Sequence, residues 1–102
     1  DFVNENVKLF MDMLSKNPNN TIVILTAKLD KYRDLVVGWL EHYEVKYDEL
    51  VMKKDEKTSD LIFKSSYVAL NKHNIDFALD DVGAMCAMFG KYDIPCLRIE
   101  QK

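Results

Sequence analysis

The chain has 102 residues, a length that fits one small domain, with 48% hydrophobic residues to build a core and 30% charged residues to solvate it. A net charge of −3 excludes an overall basic field for holding nucleic acid, while leaving a local basic groove open. No apolar run approaches the ~20 residues needed to span a bilayer, no signal-peptide pattern opens the chain, and two cysteines do not make a disulfide scaffold. A reducing, cytoplasmic setting without membrane contact is therefore expected.

In chain order, residues 2–16 carry Val3, Val7, Phe10 and Leu14 at helical spacing, and Pro18 among asparagines breaks that pattern. Residues 21–26 are a dense β-branched run, the clearest strand in the chain. Asp30 is placed to cap a second helix whose apolar stripe runs through Tyr32, Leu35, Val36, Trp39, Leu40 and Tyr43. Gly38 inside that helix costs about 1 kcal/mol against Ala unless something packs close to it. Residues 50–52 form a short strand and 53–59 a polar loop. Ser59 or Thr58 then caps a third helix bearing Leu61, Ile62, Tyr67, Val68 and Leu70.

Residues 75–81 read as a buried strand that ends on two adjacent acids, Asp80 and Asp81. A fourth helix over residues 82–89 is stopped by Gly90, and residues 95–99 make a last strand. Strict helix–strand alternation with helical crossovers predicts a single α/β domain, a parallel doubly wound sheet covered on both faces.

Three polar positions fall near strand C-termini: Thr26 with Lys28, the loop around Asp55, and Asp80 with Asp81. The carboxyl ends of parallel strands are where ligands sit in such sheets. A hydroxyl, a cation and a carboxylate pair are the parts of a phosphate-and-Mg²⁺ site, because Mg²⁺ takes one or two carboxylates plus waters and phosphate. The plain alternative makes Asp81 the N-cap of the fourth helix, with Asp80 solvated beside it. Lys64 on the third helix would ordinarily be solvated. His42 and His73 are isolated, and Cys86 and Cys96 lack zinc-ligand spacing, Cys86 reading as a small core residue.

The order strand–Thr26–x–Lys28, helical Lys64, then strand–Asp80–Asp81 resembles the haloacid-dehalogenase superfamily. Within it, the chain is most similar to the 3′-phosphatase branch of bacteriophage polynucleotide kinase/phosphatase. The residues that carry the resemblance run from Asp1-Phe2-Val3-Asn4 through the strand closing on Thr26, then Tyr47-Asp48-Glu49-Leu50-Val51-Met52. Asp60 with Lys64, and Phe77-Ala78-Leu79-Asp80-Asp81 followed by Met88 and Ile94-Pro95-Cys96-Leu97, complete the match.

The resemblance implies a Rossmann-like three-layer sandwich and Mg²⁺-dependent phosphomonoester hydrolysis through an aspartyl-phosphate. Thr26 would donate to the transferring phosphoryl group, Lys28 would help to bind it, Lys64 would neutralise its charge, and Asp80 with Asp81 would hold the metal. The substrate would be a phosphorylated small molecule or the 3′ end of a nucleic acid.

Lys28 and Val82 stand where that branch carries Arg, which exchanges a bidentate fork for a point charge at Lys28. The Asp-x-Asp-Gly-Thr nucleophile motif is absent, no Asp-x-Asp precedes Thr26, and the chain starts on Asp1. The fold is accordingly expected to be truncated at its N-terminus, with a strand from an upstream segment or a second chain filling a slot between the Thr26 and Asp80 strands. The competing expectation is a catalytically inactive remnant that serves as a binding or regulatory module. A receiver-like signalling domain is disfavoured, since its acidic pair follows the first strand.

Overall fold

A computed structural model describes residues 5–99, so the Asp1 to Asn4 segment of the resemblance lies outside the described residues. The chain divides into two compact units, residues 1–56 and 57–102. Each is a small α/β body built on one parallel strand pair.

The first unit opens with α1 (Glu5–Ser15). Val7, Phe10 and Leu14 are half-buried, whereas Leu9 and Met13 stay exposed. The Asn-Pro-Asn-Asn break works through side chains as well as backbone, since Asn20 Nδ2 donates to the Leu14 carbonyl (3.0 Å). β1 (Val23–Leu29) pairs in parallel with β2 (Glu49–Lys53). Asp48 fixes the entry to both strands, its Oδ2 accepting from Ile22 N at 2.7 Å.

Between the strands a 3₁₀ turn (Asp30–Tyr32) leads into α2 (Arg33–His42). Asp30 does not cap that helix. Its carboxylate binds the Arg33 guanidinium at 2.8 Å, and Arg33 also donates to the Leu50 carbonyl, tying the start of α2 to β2. The α2 stripe is only partly covered: Leu40 is buried, while Tyr32, Leu35 and Trp39 are exposed. Nothing lies within 4 Å of a Cβ built on Gly38, so no close packing explains the glycine.

α2 ends in a Schellman turn, with Val45 N bonding to Leu40 O and Glu44 N to Glu41 O. Glu44 occupies the left-handed position at φ 55°, a conformation that favours glycine.

The second unit carries α3 (Asp60–Asn71), a 3₁₀ turn (Lys72–Asn74), β3 (Ala78–Asp80), α4 (Gly83–Lys91) and β4 (Cys96–Arg98). Ser59 caps α3 as expected, its Oγ accepting from Ile62 N at 3.1 Å. The inward face of α3 is narrower than its apolar residues suggested. Val68 is fully buried, whereas Leu61, Ile62 and Leu70 are exposed. Lys64, one turn before Val68, shares the inward face.

The core joins Val68, Met88, Phe89 and Ile94, with Ile75, Ala78, Tyr92 and Cys96 packed against it. β3 is shorter than the strand expected over residues 75–81, and Phe77 lies exposed before it. Gly90 does not end α4. The helix continues to Lys91 and closes in a second Schellman turn, with Ile94 N on Phe89 O and Asp93 at φ 60° taking the left-handed position. Aspartate visits that region at small cost because its short polar side chain bonds locally. β3 and β4 run parallel in the register Ala78↔Cys96 and Asp80↔Arg98. Among the described residues, β1 forms a ladder with β2 alone and β3 with β4 alone.

Candidate functional site

In the second unit, β3 delivers Asp80 to its C-terminal end and α3 brings Lys64 to meet it. Lys64 Nζ stands 3.1 Å from Asp80 Oδ2, with side-chain exposures of 15% and 8%. The second carboxylate oxygen, Oδ1, accepts from Val82 N at 3.0 Å. The Asp80 carbonyl accepts from Ile99 N at 2.9 Å, which continues the β3–β4 ladder, and takes a long contact (3.7 Å) from the Cys86 thiol.

A carboxylate this buried would be costly alone; here it is neutralised by one ammonium and oriented by one backbone N–H. These contacts use two of roughly four lone-pair positions on the carboxylate, so Oδ1 and Oδ2 keep acceptor capacity.

Asp81 follows directly and is exposed. It does not cap α4, whose N-cap is Val82; the carboxylate reaching the Val82 N–H is that of Asp80. The two acids therefore divide as the alternation of a strand requires, one inward and locked, the other at the surface.

In the first unit, Thr26 and Lys28 belong to one local feature. Thr26 pairs with Met52 and Leu29 pairs with Lys53, so β1 takes three steps where β2 takes one. Thr26 accordingly does not close its strand, as the sequence suggested, but opens a bulge within it. The bulge leaves Thr26 half-buried and turns Lys28 outward, while Thr26 Oγ1 accepts from Lys28 N at 3.3 Å. Bulges of this kind re-aim side chains and are common beside active sites.

Lys53, next to this bulge at the end of β2, is 8% exposed. It escaped the sequence reading because it opens a run of polar residues that look like a loop. Asp55, in that loop, is exposed.

Cys86 and Cys96 form a further grouping that sequence spacing did not reveal. Cys86 is half-buried on α4, and its sulfur lies 2.9 Å from that of Cys96 on β4. Burial, together with the hydrogen bond to Cys86 and the negative charge around it, pushes the Cys96 thiol up to about 12. Among the described residues no group of three or more His, Cys, Asp and Glu side chains gathers as a ready metal cage. The hard-oxygen donors at the end of β3 are the carboxylates of Asp80, turned inward, and Asp81, at the surface.

Helices alternating with parallel strands, an acid at the end of β3 and a lysine brought to it from α3 belong to an α/β, Rossmann-like fold. A model of the polynucleotide kinase PNKP phosphatase domain, of haloacid-dehalogenase type, matches residues 1–102, and the chain belongs to that family. Two solved structures are similar, one of the Pnkp1/Rnl/Hen1 RNA repair complex and one of the Pnkp1/Rnl/Hen1 complex. Each aligns with a TM-score of 0.87 at 22% identity over 98% of this chain. The chain spans 33% and 36% of the chains it matches there, about a third of their length. No curated protein sequence matches it.

Proposed function

We propose that this chain is the phosphoryl- and metal-binding part of a phosphomonoesterase acting on a phosphorylated nucleic-acid end, with the 3′-phosphate as the favoured substrate. The observation that carries the reading is the buried Lys64–Asp80 pair at the end of β3. Family membership over the whole chain supports it. The RNA repair complexes among the similar structures make a nucleic-acid end a more natural substrate than a small phosphate ester.

In this proposal each residue has a defined task. Asp80 and Asp81 hold Mg²⁺, which when bound supplies positive charge to the phosphoryl oxygens. Lys64, already fixed by Asp80, presents its ammonium to the transferring group and offsets charge as it develops. Thr26 donates its hydroxyl proton to a phosphoryl oxygen, and Lys28 on the bulge steers the anionic substrate by charge alone, without the planar specificity of Arg. The aspartyl nucleophile comes from a segment outside residues 1–102, on the same polypeptide or on a partner.

The test is complementation. The chain is mixed with a segment carrying an Asp-x-Asp strand, and p-nitrophenyl phosphate hydrolysis is followed with Mg²⁺. Turnover that appears on mixing and disappears in Asp80→Asn supports the proposal. Absence of turnover with a segment shown to bind the chain overturns it.

A further inference from the structure

Cys86 and Cys96 are the chain's two cysteines, and the fold places their sulfurs 2.9 Å apart although they stand ten residues apart on different elements. The positions are set by structure around them. Cys86 sits one turn into α4, its N–H bonded to the Val82 carbonyl. Cys96 starts β4, paired with Ala78 of β3. Between them, the Schellman turn that closes α4 at Asp93 and buries Phe89 and Ile94 brings the chain back. The sulfur pair is thus held by a hydrogen-bonded framework at both ends. A disulfide needs a sulfur separation of about 2.03–2.05 Å, so the remaining approach is about 0.9 Å. Both thiols are free and half-buried, so a small oxidant can reach them; the Cys96 thiol is held protonated, so Cys86 is the sulfur oxidised first and Cys96 the one that resolves it.

We propose that Cys86 and Cys96 form a reversible intramolecular disulfide, a redox modification site within the second unit. The reaction is a two-electron oxidation by a hydroperoxide. Both S–H bonds break and one S–S bond forms. The two electrons and two protons pass to the O–O bond of the hydroperoxide, which becomes an alcohol and water. A dithiol reductant reverses the reaction by thiol–disulfide exchange.

In the reduced form the Cys96 thiol donates to Cys86, and the Cys86 thiol donates to the Asp80 carbonyl. The disulfide has no S–H, so oxidation removes that contact from the residue at the end of β3. The bond also staples α4 to β4 across a short loop. This inference rests on the thiol geometry and stands whether or not the chain hydrolyses phosphate.

The test treats the chain with a stoichiometric hydroperoxide, quenches it, and maps it by non-reducing peptide mass spectrometry. The expected product is a Cys86–Cys96 linked peptide, lighter by two hydrogens than the two reduced peptides and restored by dithiothreitol. Both thiols should disappear together in a thiol titration while the protein keeps its apparent size. In Cys96→Ala, the Cys86 sulfenic acid should persist and be trapped by dimedone, whereas in the unmodified chain it should not accumulate. Loop-closure entropy predicts that the oxidised chain unfolds with an equilibrium constant roughly 100-fold lower than the reduced one. Independent oxidation of the two thiols, chain-to-chain disulfides, or dimedone trapping as strong in the unmodified chain as in Cys96→Ala would each overturn the proposal.

Discussion

Replacing Lys64 with Met keeps most of the aliphatic stem but removes the ammonium 3.1 Å from Asp80 Oδ2. The carboxylate, 8% exposed, is then left with the Val82 N–H on its other oxygen and no counter-charge. At an effective dielectric near 20, a unit pair at this distance attracts by ~5 kcal/mol, most of it offset by the desolvation of both ions. Breaking one side of a buried pair typically costs ~3–5 kcal/mol, because the remaining charge stays buried. Lys64 keeps 15% exposure, so water can partly replace it, and a loss of about 2–4 kcal/mol is expected for Lys64→Met.

The informative comparison is Lys64→Met with Asp80→Asn added. The amide is neutral and still offers an oxygen to the Val82 N–H, so the double variant should recover at least about 1 kcal/mol over Lys64→Met alone. Urea unfolding followed by circular dichroism measures both, through a shift in midpoint at unchanged slope. If Lys64→Met stays within about 0.5 kcal/mol of the parent, or the two substitutions simply add, the pair is not a coupled buried ion pair and the reasoning fails.

Gly38→Ala should stabilise by about 1 kcal/mol, because the position is helical, exposed and open around the missing Cβ; a destabilised variant in thermal melts would contradict this. Glu44→Gly should raise stability by about 1 kcal/mol, since Glu44 holds φ 55° at the end of α2, and unchanged denaturant midpoints would argue against strain there. Ser59→Ala should cost about 1 kcal/mol and Ser59→Gly only a few tenths, as the lost bond to Ile62 N caps α3; equal losses would point to packing instead.

The Cys96 thiol, raised from its ordinary value of 9.0 to about 12, makes the folded state hold a proton that the unfolded chain releases first. Its contribution is therefore fully present below pH 9 and declines between about 9 and 12. Replacing Cys96 with Ala should flatten the stability profile across that window, and an unchanged slope would remove the thiol from the account.

The parallel α/β character was legible because it rests on local pattern. The β-branched run of β1 and the Ser59 cap of α3 signal their elements without tertiary help. The acid at the end of β3 was legible for a related reason, since a carboxylate ending an apolar strand conflicts with burial unless it has work to do.

What was not legible depended on tertiary detail. Thr26 looked like a strand end because Lys28 and the leucine after it cannot reveal that the strand resumes across a bulge. Gly90 looked like a helix stop because glycine usually takes the left-handed position, whereas Asp93 takes it here. Asp30 looked like a cap, but the Arg33 guanidinium competed for its carboxylate. The sulfur pair is a consequence of the turn at Asp93, which no spacing rule for Cys86 and Cys96 encodes.

The central claim, that Asp80 with Asp81 forms the metal-holding part of a phosphoryl-transfer site, is tested most directly by Mg²⁺ titration of the chain followed by amide NMR. The account predicts saturable shifts centred on Asp80, Asp81 and Val82, lost in Asp80→Asn while the rest of that variant's spectrum stays native. Shifts that are absent, or that persist undiminished in folded Asp80→Asn, would contradict it.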